Sequence, residues 1–185
     1  MSSETVNAIL LRRIRFSETS LILTWFGQET GKIKAIAKGA LRQGSAFAGK
    51  IDLFFHCNLT ISRSQKSEIH TLRELVVVEP FLNIRTDYLS TLTASYFTEL
   101  VEETTELEHA EPEIYDLLRR GLDYLEHKRP TLRAIVFFEA ELARLLGMQM
   151  TKQTESSCQL IESLTRAPTA RAALMKQLEG RAEWE

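Results

Sequence analysis

From Ile51 to Ile61 the odd positions read Ile, Leu, Phe, Cys, Leu, Ile, and the even positions between them read Asp, Phe, His, Asn, Thr. A period of two held over eleven residues fits extended backbone, in which successive side chains point to opposite faces. The chain must therefore build a sheet with one buried face. Weaker alternation runs through the first 80 residues and predicts five strands, near 6–16, 19–26, 31–38, 49–62 and 67–78.

The links between these strands indicate how they pair. Gln28-Glu29-Thr30-Gly31 and Arg63-Ser64-Gln65-Lys66 are short polar turns, the first with a glycine free to take positive φ. Neither can hold a crossover helix, so antiparallel pairing is expected. The link 39–48 is longer and rich in glycine and alanine. Five short strands with a half-polar surface must protect their edges, and closure into a small barrel does this. An oligonucleotide-binding (OB) type of barrel fits the strand count. An SH3-like barrel fits it nearly as well, because strand count does not fix connectivity.

Pro80 ends the alternation, and the period then lengthens to that of helices. Leu89, Leu92, Tyr96, Leu100 and Leu107, joined by Phe97 and Val101, follow a repeat close to 3.6 residues. Pro112 suits the first turn of a second helix, with Ile114, Leu118, Leu122 and Leu125 on one stripe and Gly121 allowing close approach. Pro130 and Thr131 open a third, apolar around much of its girth, which Gly147 can close; it reads as the central helix of a small bundle. A short helix near 156–165 and an amphipathic segment between Pro168 and Gly180 complete the reading. The expected class is α+β: a five-stranded antiparallel OB-type barrel over 1–80, then a small helical domain over 81–185.

Several chemistries find no support. The longest apolar runs are about five residues, against the roughly 20 needed to cross a bilayer, so no membrane partner is expected. The start MSSETVNAILLRR has no basic region ahead of an apolar one. Two cysteines, Cys57 and Cys158, are too few for a disulfide framework, which suggests a reducing, cytoplasmic setting. No metal-ligand spacing occurs among His56, His70, His109, His127 and the cysteines, and Cys57 falls on the buried strand face. No phosphate-cradling glycine motif is present. Glu139 and Glu141 read as solvated or salt-bridged. The expectation is a non-enzymatic protein without cofactor, metal or small-molecule substrate.

Charge is the informative remainder. Residues 1–80 hold 11 basic and 7 acidic side chains, whereas residues 81–128 hold 4 basic and 11 acidic. A formal net charge of -2 hides this division. Lys32, Lys34, Ile36 and Lys38 share parity on one strand; Arg13 and Arg15 share a face of the first, with Arg12 nearby; Arg42 and Lys50 flank the long link. A basic groove with aromatic side chains is what single-stranded nucleic acid requires. Phe16, Trp25, Phe26, Phe47 and Phe54 are the aromatic candidates. Trp25 shares parity with Leu21 and Leu23 and belongs in the core. Phe54 stands on the polar face of its strand, where it stacks on a base or packs against the helical domain. Phe47 lies in a loop, where it binds or plugs the barrel end. A run of basic side chains is also what a plain solvated face carries, and it can meet an acidic protein partner, so an adaptor is the alternative to a DNA-binding module.

The run from Asn7 to Phe54 resembles the N-terminal barrel of RecO, a bacterial recombination mediator family. The resemblance is carried by Leu10-Leu11-Arg12-Arg13, Glu18 to Leu23, Gly31-Lys32-Ile33, Ala37-Lys38-Gly39-Ala40, Glu74-Leu75 and Glu79-Pro80-Phe81. Tyr88 to Glu102 and Arg144-Leu145-Leu146-Gly147 resemble the family's helical domain. The resemblance implies an OB barrel followed by helices, binding to single- and double-stranded DNA, strand annealing, and recombinase loading. It also implies partnership with a RecR-like protein and with the C-terminal tail of single-stranded DNA-binding protein. Carried over, DNA contact falls on Arg12, Arg13, Lys32, Lys34, Lys38 and Arg42. The chain departs from the family after Gly147: many RecO-like chains have a four-cysteine zinc module there, and MQMTKQTESSCQLIES offers Cys158 alone.

Overall fold

The computed structural model describes residues 3–148 and 169–182. The predicted helix near 156–165 and Cys158 lie outside them. Five strands, β1 (Ser3–Arg15), β2 (Leu21–Gly27), β3 (Gly31–Ala37), β4 (His56–Ser62) and β5 (Ile69–Glu79), close into a barrel in the order β1-β2-β3-β5-β4. This is the OB-type barrel. Four of its pairings are antiparallel; the closing pair, β3 with β5, is parallel and short, running from Lys34↔Ile69 to Ile36↔Thr71. The all-antiparallel expectation is corrected there, because closing this strand order brings two strands together that run the same way.

The barrel interior follows the alternation. Leu21, Leu23 and Trp25 of β2, Ile33, Ala35 and Ala37 of β3, and Cys57, Leu59 and Ile61 of β4 form one buried cluster with Val6, Ala8 and Leu10 of β1. Burial pushes the Cys57 thiol up to about 12, so it behaves as a small core hydrophobe.

Two local departures matter for function. The strand expected at 49–62 begins only at His56; residues before it form turns, and Phe54 takes φ 71 and is buried. Phe54 is therefore not an exposed residue on a polar strand face, although Phe55 to Ile61 keep the expected parity. On β1, the register shifts between Leu10 and Arg12. This bulge adds one residue and reverses parity. Val6, Ala8 and Leu10 point inward, and beyond the bulge Arg12 pairs with outward Thr24 and Ile14 with outward Ile22.

The chain divides into two compact units, residues 1–80 with 105–115, and residues 81–104 with 116–185. Segment 105–115 thus belongs with the barrel although it lies between two helices. Its attachments are specific. The Lys32 ammonium donates to the Thr105 carbonyl at 2.5 Å, and the Glu108 amide donates to the Lys32 carbonyl at 2.8 Å. Buried His70 lies 2.7 Å from the Glu108 carboxylate, which also accepts from Arg63 at 3.0 Å. Tyr115 donates to Asn7 at 2.7 Å and sits 3.0 Å from His56, while its ring meets Phe26. Gly31 explains how the segment can lie so close: a Cβ there would stand 1.8 Å from the His109 carbonyl oxygen, and its φ is +66°.

The helical unit contains a 3-10 turn (Leu82–Thr86), α1 (Tyr88–Thr104), most of α2 (Pro112–His127), α3 (Leu132–Leu145) and α4 (Thr169–Ala182). Leu107, expected on the first helix's stripe, lies beyond α1 and forms a bridge with Lys32 instead. Thr131 caps α3 by accepting from the Ala134 amide at 3.2 Å. Phe97 and Phe138 stack at 3.8 Å between ring centres, and Gly121 leaves room for both. Glu139 is buried, accepting from Tyr96 at 2.6 Å and from Arg171 at 3.0 Å. The third helix is not apolar-buried around its girth: Leu132, Val136 and Phe137 are exposed.

Candidate nucleic-acid interface

The outer surface of β1, β2 and β3 is laid out in registered rows. One row reads Arg12–Thr24–Lys34–Ile69 and the next Ile14–Ile22–Ile36–Thr71. Neighbouring strands are about 4.8 Å apart, so the Cα atoms of Arg12 and Lys34 stand about 10 Å apart across Thr24. Thr24 itself is 3% exposed. No carboxylate occupies either row.

The basic candidates divide by what they touch. Lys34 is half-buried in its row, and Lys38 is exposed just past the end of β3. Arg42 is exposed and folds back over Gly39, its amide donating to the Gly39 carbonyl at 3.1 Å. Leu41 donates to the Thr19 carbonyl at 2.9 Å, which holds this start of the long link beside the β1–β2 turn. Lys38, Arg42 and the turn are thus gathered at one end of the barrel. Lys50 is exposed further along the link.

Other candidates serve the barrel itself. Arg13 lies on the inward parity at the barrel mouth, 3.4 Å from Asp52, and donates to the Ile51 carbonyl. Arg15 donates to the carbonyls of Ser17 and Glu18, at 3.2 and 3.3 Å, and shapes the β1–β2 turn. The two share a side as expected, while Arg12, next to Arg13 on the strand, takes the opposite one, which the bulge makes the outer side. Lys32 shares the outward parity of Lys34, yet its ammonium is engaged by segment 105–115.

The aromatic candidates separate as sharply. Phe16 is 61% exposed. Phe47 is half-buried against the barrel core, as a plug of its end. Trp25, Phe26 and Phe54 are buried. Ile14, 47% exposed, and Ile22 were not anticipated as surface residues of this face. The bulge alone puts Ile14 there, and a single extra residue in a run of apolar and basic side chains leaves no distinct signal; Ile22 faces out by the alternation of β2, opposite to Leu21, Leu23 and Trp25.

The acidic segment 105–115 borders this face at its Lys32 end. Burial raises the pKa of Glu111, and one of its oxygens is buried without a partner among the described residues. Glu4 is held below the usual carboxylate range by its hydrogen bond to Arg63, whose own pKa rises through the same pair. Among the described residues no group of three His, Cys, Asp or Glu could hold a metal ion, and no helix is long and apolar enough to cross a membrane.

Comparison with known proteins bears on both units. Residues 1–81 match the family model "Recombination protein O N terminal", and residues 85–180 match "Recombination protein O C terminal". The chain belongs to the RecO family. It is 34% identical over 130 residues to the DNA repair protein RecO of Desulfatibacillum aliphaticivorans, covering 70% of this chain and 50% of that relative. For RecO of Syntrophus aciditrophicus the identity is 30% over 146 residues, 79% of this chain and 56% of the relative. For RecO of Bacillus cereus it is 28% over 156 residues, 84% and 62%. The chain thus aligns with half to three fifths of these RecO proteins' length.

Proposed function

We propose that this RecO-family chain is a non-enzymatic, cytoplasmic DNA-binding protein of recombinational repair. It holds single-stranded DNA on the outer face of β1–β3 and thereby favours strand annealing and recombinase loading. The observation that carries this reading is the row in which Arg12 and Lys34 flank Thr24 with no carboxylate in it, with Lys38, four residues beyond Lys34, and Arg42 at the nearby end of the barrel. Cations fixed on a sheet hold phosphates whatever the sequence, and complementary strands held loosely in this way can meet. Double-stranded DNA is engaged through the same cations.

Titration of a labelled oligonucleotide with the full chain across a salt series tests this. Affinity should fall by about 0.7 log units per log unit of salt for each phosphate neutralised. Lys34→Glu with Lys38→Glu should weaken binding to mixed and homopolymer strands alike and flatten the salt slope. Unchanged binding by that double variant removes this face from the reading.

A second reading, as a protein–protein adaptor, is favoured by a cavity of about 390 Å³ in the helical unit. Phe97, Leu117, Phe137 and Phe138 give it apolar walls, and Arg120 and Arg133 line it as well. Such a site suits a short acidic segment with apolar residues, the chemistry of the tail of single-stranded DNA-binding protein. Titrating that tail as a peptide checks the fit, with Arg133→Glu expected to abolish binding. A RecR-like partner rests on family likeness alone.

A further inference from the structure

Segment 105–115 carries four carboxylates, Glu106, Glu108, Glu111 and Glu113, and no lysine or arginine. It lies on the barrel, yet from Glu106 to Glu113 none of its side chains is buried. What holds this stretch is polar and partly open to water. One backbone hydrogen bond joins Glu108 to Lys32, and the half-exposed Glu108 carboxylate meets Arg63 and His70. Attachments of this kind are weak and screened by salt. Glu111 works against docking, since one of its oxygens is buried without a partner among the described residues.

The place that Glu108 fills suits an anion. The Ser64 amide donates to His70 Nδ1 at 3.3 Å, so Nε2 carries the hydrogen and donates to Glu108. Arg63, itself held by Glu4, supplies a second donor. Lys66, Ser64 and Ser67 line a cavity of about 430 Å³ beside them, with Glu68 as the opposing charge. Lys32, two residues before Lys34 on β3, is tied to the Thr105 carbonyl by the same segment. We infer that segment 105–115 is an autoinhibitory strap. Its Glu108 carboxylate occupies a phosphate position between Arg63 and His70, and its release extends the basic face of the barrel to Lys32, Arg63 and Lys66.

The inference rests on the DNA reading above and concerns its regulation. A tethered carboxylate and a phosphate compete for the same donors, so strap and nucleic acid exclude each other at this end of the barrel. The tether gives Glu108 a high effective concentration. A lone phosphate ion therefore displaces it poorly, whereas phosphates linked in a chain engage several cations together and displace it well.

Hydrogen exchange read by mass spectrometry, with oligonucleotide titration, tests this on the full chain. In the parent, amides of 106–113 should exchange faster than those of β1 and β4, and a single-stranded oligonucleotide should speed them further. Glu108→Gln keeps the shape and removes the charge. It should bind the oligonucleotide more tightly and steepen the salt slope by about 0.7 log units per log unit of salt, one further phosphate held. Lys66→Glu, in an exposed turn, should cancel that gain in the Glu108→Gln background and change parental binding little. Exchange of the β1 and β4 amides reports whether each variant is folded; if Glu108→Gln is not, the parental exchange decides. Strap exchange that the oligonucleotide leaves unchanged overturns the inference. So does a folded Glu108→Gln variant with parental affinity and slope, or equal acceleration by inorganic phosphate at the same phosphate concentration and ionic strength. If the parent binds no oligonucleotide at low salt, the DNA reading falls and polyphosphate becomes the probe: faster exchange over 106–113 keeps the strap, and unchanged exchange sinks it as well.

Discussion

At the scale of single residues, the barrel depends on positions whose roles are geometric. Gly31 meets two demands together, a left-handed backbone and a carbonyl oxygen where its Cβ would be. The conformation alone costs an alanine about 1–2 kcal/mol, and overlap with backbone adds to that. Gly31→Ala should therefore lower the unfolding free energy by more than about 2 kcal/mol, measured by denaturant titration. Gly44→Ala, with φ +74° but nothing within 4 Å, should lose only the conformational part.

Two carboxylates give opposite pH signatures. Glu4 has its pKa depressed by Arg63, so its contribution is present above the ordinary carboxylate range and is lost as pH falls through the folded value. Glu111 has its pKa raised by burial; its charged form is penalised at neutral pH, and acid relieves the penalty. Glu4→Gln should lower the melting temperature at pH 7 and have little effect at pH 3. Glu111→Gln should raise it at pH 7, by roughly 2 °C for a chain of this size, and lose that advantage in acid. Matching shifts at both pH values would contradict these assignments.

At the scale of elements, α4 is joined to α1 and α3 through one buried carboxylate. Glu139 is 1% exposed and receives both Tyr96 and Arg171. Removing the cation strands a buried charge, a loss of about 3–5 kcal/mol, whereas removing both partners loses much less. Arg171→Met should destabilise the chain strongly, and adding Glu139→Gln should recover most of the loss in a thermal melt. A loss that Glu139→Gln fails to recover would mean the pair contributes little. The same element scale explains why Arg12 and Ile14 share a face with Lys34: the bulge after Leu10 turns the last third of β1 over.

At the scale of the whole molecule, the barrel is not a contiguous stretch of sequence. Segment 105–115 returns to it and engages Lys32, Arg63, His70 and Asn7. A fragment ending at residue 80 should therefore melt at a lower temperature than the barrel of the intact chain, by circular dichroism. Strong binding by such a fragment would then reflect loss of the acidic segment as well as isolation of the basic face. An equally stable fragment would make the segment's contacts incidental.

Alternation over 51–61, the short polar turns and the change of period at Pro80 determined a small barrel followed by helices, because burial on one face of a strand or helix is written in local spacing. Charge parity likewise marked Lys34 and Lys38, and Pro112, Thr131 and Gly121 marked helix starts and a close packing point. Three things were decided only in tertiary structure. The parallel β3–β5 closure depends on strand order, the burial of Phe54 on a turn that interrupts an unbroken alternation, and the capture of Lys32 on a segment more than seventy residues away. In each case the deciding partner is distant in sequence or is backbone, and neither leaves a mark in the order of side chains.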